Sequence, residues 1–219
     1  MAKPPLERRS DARRIRMMCT TVAYDGLLVS RTPALEPEDA RWFVDRGFIE
    51  MQSLVVLQRQ CRPDTADDER VMAYTWRRLG SRRHVALRDT ILEIDVAAFA
   101  PPWNLSPDAF ARACAATSDH IILVDHSSGT DVCGFAIVGR SATTAYLQRL
   151  AVRPTARRHG VATRLVRQAS AWAESRGAET LLVNTEPTNQ PALALYAGLG
   201  FVTLPHRLAV LQRSVTEPR

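Results

Sequence analysis

Between Thr144 and Gly177 the apolar positions run first at strand spacing and then at helix spacing. Tyr146, Leu147, Leu150 and Val152 predict a strand over 144–152, closed by Pro154. A short basic loop follows, Arg157-Arg158-His159-Gly160-Val161-Ala162. Val161, Leu165, Ala169, Trp172 and Ala173 then recur at three- and four-residue steps, which predicts an amphipathic helix stopped at Gly177.

The same reading covers the rest of the chain. Residues 1–13 are polar and basic and are expected to be disordered. Arg14 to Ser30 is strand-like, with a turn at Tyr24-Asp25-Gly26. Pro37-Glu38-Asp39 opens a short helix through Phe43 and Val44 that Gly47 ends, and Phe48–Gln60 reads as one or two strands. Residues 63–82 are expected to be a linker, charged at its start and running into a helix through Val71, Tyr74 and Trp76. His84–Arg88 reads as a first strand, followed by a helix with Ile91, Ile94 and Phe99 that Pro101-Pro102 breaks. Ser106 is an N-cap with Pro107 at the first helical position. Strands are predicted over His120–Asp125 and Val132–Gly139, joined through Ser127-Ser128-Gly129, then over Thr180–Glu186; a helix from Asn189 and terminal strands from Phe201 follow.

Chemistry enters at the basic loop. A strand that feeds a Gly-containing loop at a helix N-terminus suits an anion, because unpaired N–H groups and the positive end of the helix dipole face it. The loop lacks the Lys-Ser/Thr ending of a nucleotide-binding P-loop and the three glycines of a dinucleotide fingerprint. The net charge of +6 is nearly all arginine, but the arginines are dispersed and match no nucleic-acid-binding signature. Cys19, Cys61, Cys114 and Cys133 are too scattered for a zinc site or a disulfide framework, so no metal is expected. No apolar run reaches membrane-spanning length, and the first residues do not read as a secretory signal, so the expected location is cytoplasmic.

The loop residues Arg157, Gly160 and Ala162, the preceding Leu150-Ala151-Val152, and the downstream NQPALALYAGLGF (Asn189–Phe201) together resemble the GNAT superfamily of acetyl-CoA-dependent N-acyltransferases. The resemblance implies an α/β (α+β) fold over 83–216: a mixed, mostly antiparallel twisted sheet flanked by helices. It implies acetyl-CoA as co-substrate. The pyrophosphate would sit on Arg157, Arg158, His159, Gly160, Val161, Ala162 and Thr163, and the pantetheine arm along Leu150, Ala151 and Val152, where the strand splays from Thr180–Glu186. A fixed N–H there would stabilise charge developing on the thioester carbonyl.

By the same resemblance Asn189 contacts the coenzyme and the Tyr196 hydroxyl protonates the leaving thiolate. The two lie two helical turns apart and share a face. Read from the residues alone, Asn189 is equally a helix N-cap and Tyr196 a packing residue. The position where similar ribosomal-protein alanine acetyltransferases carry a basic glutamate is Asn184, which cannot take a proton. Glu186, on the same face of the strand, is the nearest substitute, with Glu93 and Asp95 as further candidates. A site without a certain base fits an α-amine, neutral in about one molecule in ten at pH 7, better than lysine, neutral in roughly one in a few thousand.

LLVSRTPALEPEDARW (Leu27–Trp42) also parallels LLVNTEPTNQPALALY (Leu181–Tyr196) at one constant offset, which predicts that 14–62 is a partial GNAT-like β-α-β-β repeat. In it Glu36 or a neighbour stands for the asparagine and Trp42 for the tyrosine, so it should be inert. Its uncovered face would dock on the complete domain or on a second copy, as a homodimer. The expected function is acetyl transfer from acetyl-CoA to a primary amine, a small molecule or a protein N-terminus. The alternatives are an acyl-CoA-binding sensor or scaffold and a small-molecule enzyme similar to mycothiol synthase. No nucleic-acid or membrane partner is expected.

Overall fold

A computed structural model describes residues 19–24, 27–61, 68–126 and 131–214. The expectations for residues 1–13, for the turns at Tyr24–Gly26 and Ser127–Gly129, and for residues 62–67 fall wholly or partly outside these. The chain divides into two units. The smaller contains residues 1–56, 185–189 and 204–219; the larger contains 57–184 and 190–203.

In the larger unit, β4 (Val71–Tyr74), β5 (Asp119–Asp125), β6 (Gly134–Ser141), β7 (Thr144–Val152) and β8 (Thr180–Thr185) lie in the order β8-β7-β6-β5-β4. Pairing is antiparallel except for the parallel β7–β8 pair. Alternation along β5 and β6 sends Ile122, Val124, Phe135 and Ile137 to one face. There they form a core with Ile91 and Ile94 of α3 (Val85–Ala98) and Phe110 and Cys114 of α4 (Pro107–Ala115). Ser106 caps α4, its hydroxyl accepting from the Ala109 N–H. Helix α5 (Val161–Ser175) packs on β5, β6 and β7, burying Val161, Leu165, Val166, Ala169 and Ala173. Its stop is Gly177, in the left-handed region at φ 76°.

Two expectations fail here. Residues 84–88 form no strand: the chain from Val85 is helix α3, because Leu87, Ile91, Ile94, Asp95 and Ala98 fall on one helical face turned inward. The first strand lies earlier. Val71–Tyr74, expected in a linker running into a helix, is β4, antiparallel to β5; Trp76–Leu79 (α2) is α-helical and a 3₁₀ turn follows at Arg82–His84.

The smaller unit holds β1 (Thr20–Tyr24), β2 (Leu27–Arg31), α1 (Pro37–Val44), the start of β3 (Ile49–Gln60) and most of β9 (Val202–Ser214), in the strand order β1-β2-β9-β3. Phe43, Phe48, Leu35, Ala40 and Leu211 make its core. Phe48 to Gln60 is one strand rather than two, and the terminal segment after Phe201 is likewise a single strand. The remaining helix, α6 (Gln190–Gly198), ends at Gly200 with φ 79°, as α1 ends at Gly47 with φ 78°. The Phe48 N–H donates to Phe43 O, as the Phe201 N–H donates to Tyr196 O. By this bonding Phe43 takes in α1 the place that Tyr196 has in α6, one residue beyond the Trp42 of the sequence parallel.

Candidate active site

β7 and β8 pair only at Thr144–Thr180, Ala145–Leu181 and Tyr146–Leu182. Beyond Tyr146 no described strand within the larger unit pairs with that edge of β7, while its other edge stays bonded to β6 as far as Val152. The splay leaves an open main-chain edge at Leu150, Ala151 and Val152. A β-bulge assists it: Ile137 faces Arg149 and Val138 faces Leu147, so Gln148 is the extra residue.

The open edge leads to the basic loop. After a 3₁₀ turn at Pro154–Ala156 the chain takes two left-handed residues, Arg158 at φ 68° and Gly160 at φ 75°. Arg157, Arg158, His159 and Gly160 are exposed. Gly160 is the N-cap of α5 and supplies no side chain to cap it. The first helical N–H taken by a backbone acceptor is that of Arg164, on Gly160 O, and among the described residues the amides of Val161, Ala162 and Thr163 have no backbone partner. A bare, left-handed glycine and three outward amides at a positive helix end form a cradle for an anion. Gly134 lets the structure close behind it: a Cβ there would lie 2.7 Å from Ala151 O and 2.9 Å from Val161 Cγ1. Beside the cradle opens a cavity of about 680 Å³, whose lining includes Glu93, Cys133, Arg153, Thr155, His159 and Arg164.

Tyr196 lies in the larger unit, 4% exposed, its ring 5.4 Å from that of Phe201. Burial pushes its phenol well above the ordinary tyrosine range, so it keeps its proton at any physiological pH. Glu186 and Asn189 belong to the smaller unit. The Glu186 carboxylate is exposed and accepts a hydrogen bond from the Gln52 side chain. Asn189 precedes α6; its Nδ2 donates to Thr185 Oγ1 at 3.2 Å and its N–H to Glu186 O. Asn184, where a base was sought, is exposed on β8.

Asp95 is engaged in a buried ion pair. It is fully buried, takes Arg149 Nε and Nη2 at 2.6 and 2.8 Å, and accepts the Leu105 N–H at 2.6 Å. Arg149 also donates to Trp103 O and lies 3.4 Å over the Phe99 ring, so this pair ties α3, the chain before α4 and β7 together. Sequence reasoning overlooked a second pair, Arg164 on α5 with the fully buried Asp125 at the end of β5. Its only signal was an acid closing an apolar strand and an arginine in the first turn of a helix. Among the described residues there is no cluster of metal-ligating side chains and no helix long and apolar enough to cross a membrane.

The sequence pattern of the acetyltransferase (GNAT) family matches residues 88–201, just over half of the chain. The chain belongs to the GNAT family. Among curated relatives, N-alpha-acetyltransferase 30 of Saccharomyces cerevisiae is 33% identical over 90 residues, 38% of this chain and 51% of that protein. The GNAT chain thus spans about half the length of the curated relative it matches. Among solved structures, a GNAT-family protein from Novosphingobium aromaticivorans aligns with a TM-score of 0.61 at 18% identity, over 94% of this chain and 81% of its own. A tandem GNAT protein from the clavulanic acid biosynthesis pathway aligns with a TM-score of 0.56 at 12% identity, over 100% of this chain and 73% of its own. At these identities the two structures establish the GNAT fold.

Proposed function

We propose that this GNAT protein transfers an acetyl group from acetyl-CoA to a primary amine, with a peptide or protein α-amine favoured over lysine. One observation carries the reading: β7 parts from β8 after Tyr146 and runs into a loop with two left-handed residues and three helix amides that have no backbone partner among the described residues. An open strand edge accepts an amide-bearing arm, and the amides beyond it accept a pyrophosphate. The residues present fit coenzyme A: nothing at Gly160 fills the cradle, and the exposed Arg157 and Arg158 add positive charge. Bound there, acetyl-CoA supplies an activated acyl group. The chain's own parts then divide the work. Val161, Ala162 and Thr163 hold the anion through N–H groups, and the main chain of Leu150–Val152 orients the arm and directs an N–H at the carbonyl oxygen.

Tyr196 is the proposed acid. Its buried hydroxyl stays protonated and can give that proton to a departing sulfur. Glu186 is the proposed proton acceptor, its carboxylate oriented by Gln52. An α-amine needs little help from a base, and the name of the yeast relative, an N-alpha-acetyltransferase, agrees with that class. Thiol release from acetyl-CoA against peptide N-termini, polyamines and amino sugars tests the reading. Turnover confined to polyamines or amino sugars would replace the peptide assignment with a small-molecule one.

The smaller unit is read as an inert partial copy. The strand–helix–strand runs β2-α1-β3 and β8-α6-β9 share left-handed glycines and the same main-chain bond after the helix. Phe43 offers no hydroxyl where Tyr196 has one, and no Arg-x-x-Gly-x-Gly/Ala pattern precedes Leu27 in the sequence.

A further inference from the structure

Arg164, in the first turn of α5, is held by the protein itself. Arg164 donates from Nε to Asp125 Oδ2 at 2.8 Å, from Nη2 to Asp125 Oδ1 at 3.3 Å and from Nη1 to His159 O at 3.0 Å. Its own N–H holds Gly160 O at 3.0 Å. Asp125 has no solvent exposure, and Asp68 Oδ2 stands 3.9 Å from Arg164 Nε. One residue thus grips two consecutive carbonyls, those of His159 and Gly160, and anchors them to β5. These carbonyls flank the left-handed bends at Arg158 and Gly160, conformations that cost free energy for a non-glycine residue and persist only when the surroundings enforce them.

We propose that Arg164 and Asp125 are positioning residues: a buried ion pair that sets the shape of the anion loop, so that Arg164 serves coenzyme binding through the backbone and not by contact with a phosphate. This inference rests on the coenzyme reading of the loop. The alternative, a cation held ready for a phosphate, predicts the opposite sign in one variant. Asp125→Asn removes a competing negative charge, so a direct phosphate contact would bind coenzyme A more tightly in that protein. The positioning role requires weaker binding, because the clamp loses its anchor.

The experiment has two arms. Calorimetric titration of coenzyme A is run on the wild type, Asp125→Asn and Arg164→Lys, each verified as folded by circular dichroism. Lysine keeps the charge but cannot hold Asp125 and His159 O together, so both variants should lose roughly 10- to 100-fold in affinity, the range for one charge-assisted hydrogen bond. The KM for acetyl-CoA should rise with kcat preserved at saturation. The second arm needs no coenzyme: trypsin cleavage after Arg157 and Arg158, followed by mass spectrometry, should be faster by a similar factor in both variants. Tighter binding in Asp125→Asn overturns the proposal, as does unchanged affinity with unchanged cleavage in Arg164→Lys. A failure of Arg164→Lys to fold also overturns it, since the residue would then support the whole domain and not the loop. If wild-type protein binds no coenzyme A, the functional reading fails, while the cleavage arm still tests the clamp.

Discussion

Arg59 donates from Nη1 to the carbonyl of Leu199 at 3.0 Å, just after α6, while its guanidinium carbon lies 5.8 Å over the Phe201 ring. Arg213 repeats the arrangement in the smaller unit, donating from Nη1 to Arg46 O at 2.9 Å and lying 4.8 Å over Phe48. Each arginine donates to a carbonyl just beyond a helix end and sets its charge over an aromatic ring. The roles on β3 and β9 match, as the proposed duplication requires.

Arg59→Met should therefore destabilise the protein. It leaves Leu199 O without this donor and Ser170 Oγ, buried on α5, without the 2.7 Å donor it has now. A loss of about 1–3 kcal/mol is expected in urea unfolding. Arg213→Met should fall in the same range if the units are copies. A loss at one site only would count against equivalence.

The Asp95–Arg149 pair gives a sharper stability test. Removing one partner from a buried ion pair leaves an uncompensated charge, so Arg149→Met should cost about 3–5 kcal/mol. The double change Asp95→Leu with Arg149→Met should recover part of it. If Asp95 were a catalytic base, Asp95→Asn would abolish turnover with stability intact; the structure predicts lost stability first.

How much of this was legible in the sequence depends on how local the cause is. β7 came out with its observed bounds, and α5 and its Gly177 stop were readable because period and stop signal sit in adjacent residues. His84–Arg88 misled because Val85 and Leu87 alternate like a strand over so short a run; only the longer series to Ala98 reveals the helix. The pairing of Asp95 was not legible because its partner, Arg149, is distant in sequence, and Arg164 was missed for the same reason with Asp125. The one-residue slip to Phe43 was hidden by two adjacent aromatics, of which the fold buries one fully.

Gly134→Ala tests the closure behind the cradle. The added methyl would fall within 3 Å of a backbone oxygen and of the Val161 side chain, so β6 and α5 must move apart. Overpacking of this kind costs about 1–3 kcal/mol. Coenzyme affinity should drop as well, because Val161 carries one of the three cradle amides. Gly160→Glu should abolish binding outright by placing bulk and negative charge in the cradle, at a position whose φ of 75° already disfavours any side chain.

Alkaline stability isolates Tyr196. Its folded pKa lies above the unfolded value of about 10, so the unfolded state releases its proton first as pH rises. The contribution of this residue is whole below pH 10 and declines above it, up to the folded value. Urea unfolding between about pH 9 and 11 should show that decline in the wild type and a shallower one in Tyr196→Phe. Equal slopes would mean the phenol is solvated.

The most direct test of the account is steady-state thiol release from acetyl-CoA with peptides bearing a free α-amine, for the wild type and Tyr196→Phe side by side. The account predicts turnover in the wild type and a kcat lower by roughly 10²–10⁴-fold in Tyr196→Phe, with coenzyme affinity nearly unchanged. Binding of acetyl-CoA with no turnover of any amine in either protein would contradict it and leave an acyl-CoA sensor in its place.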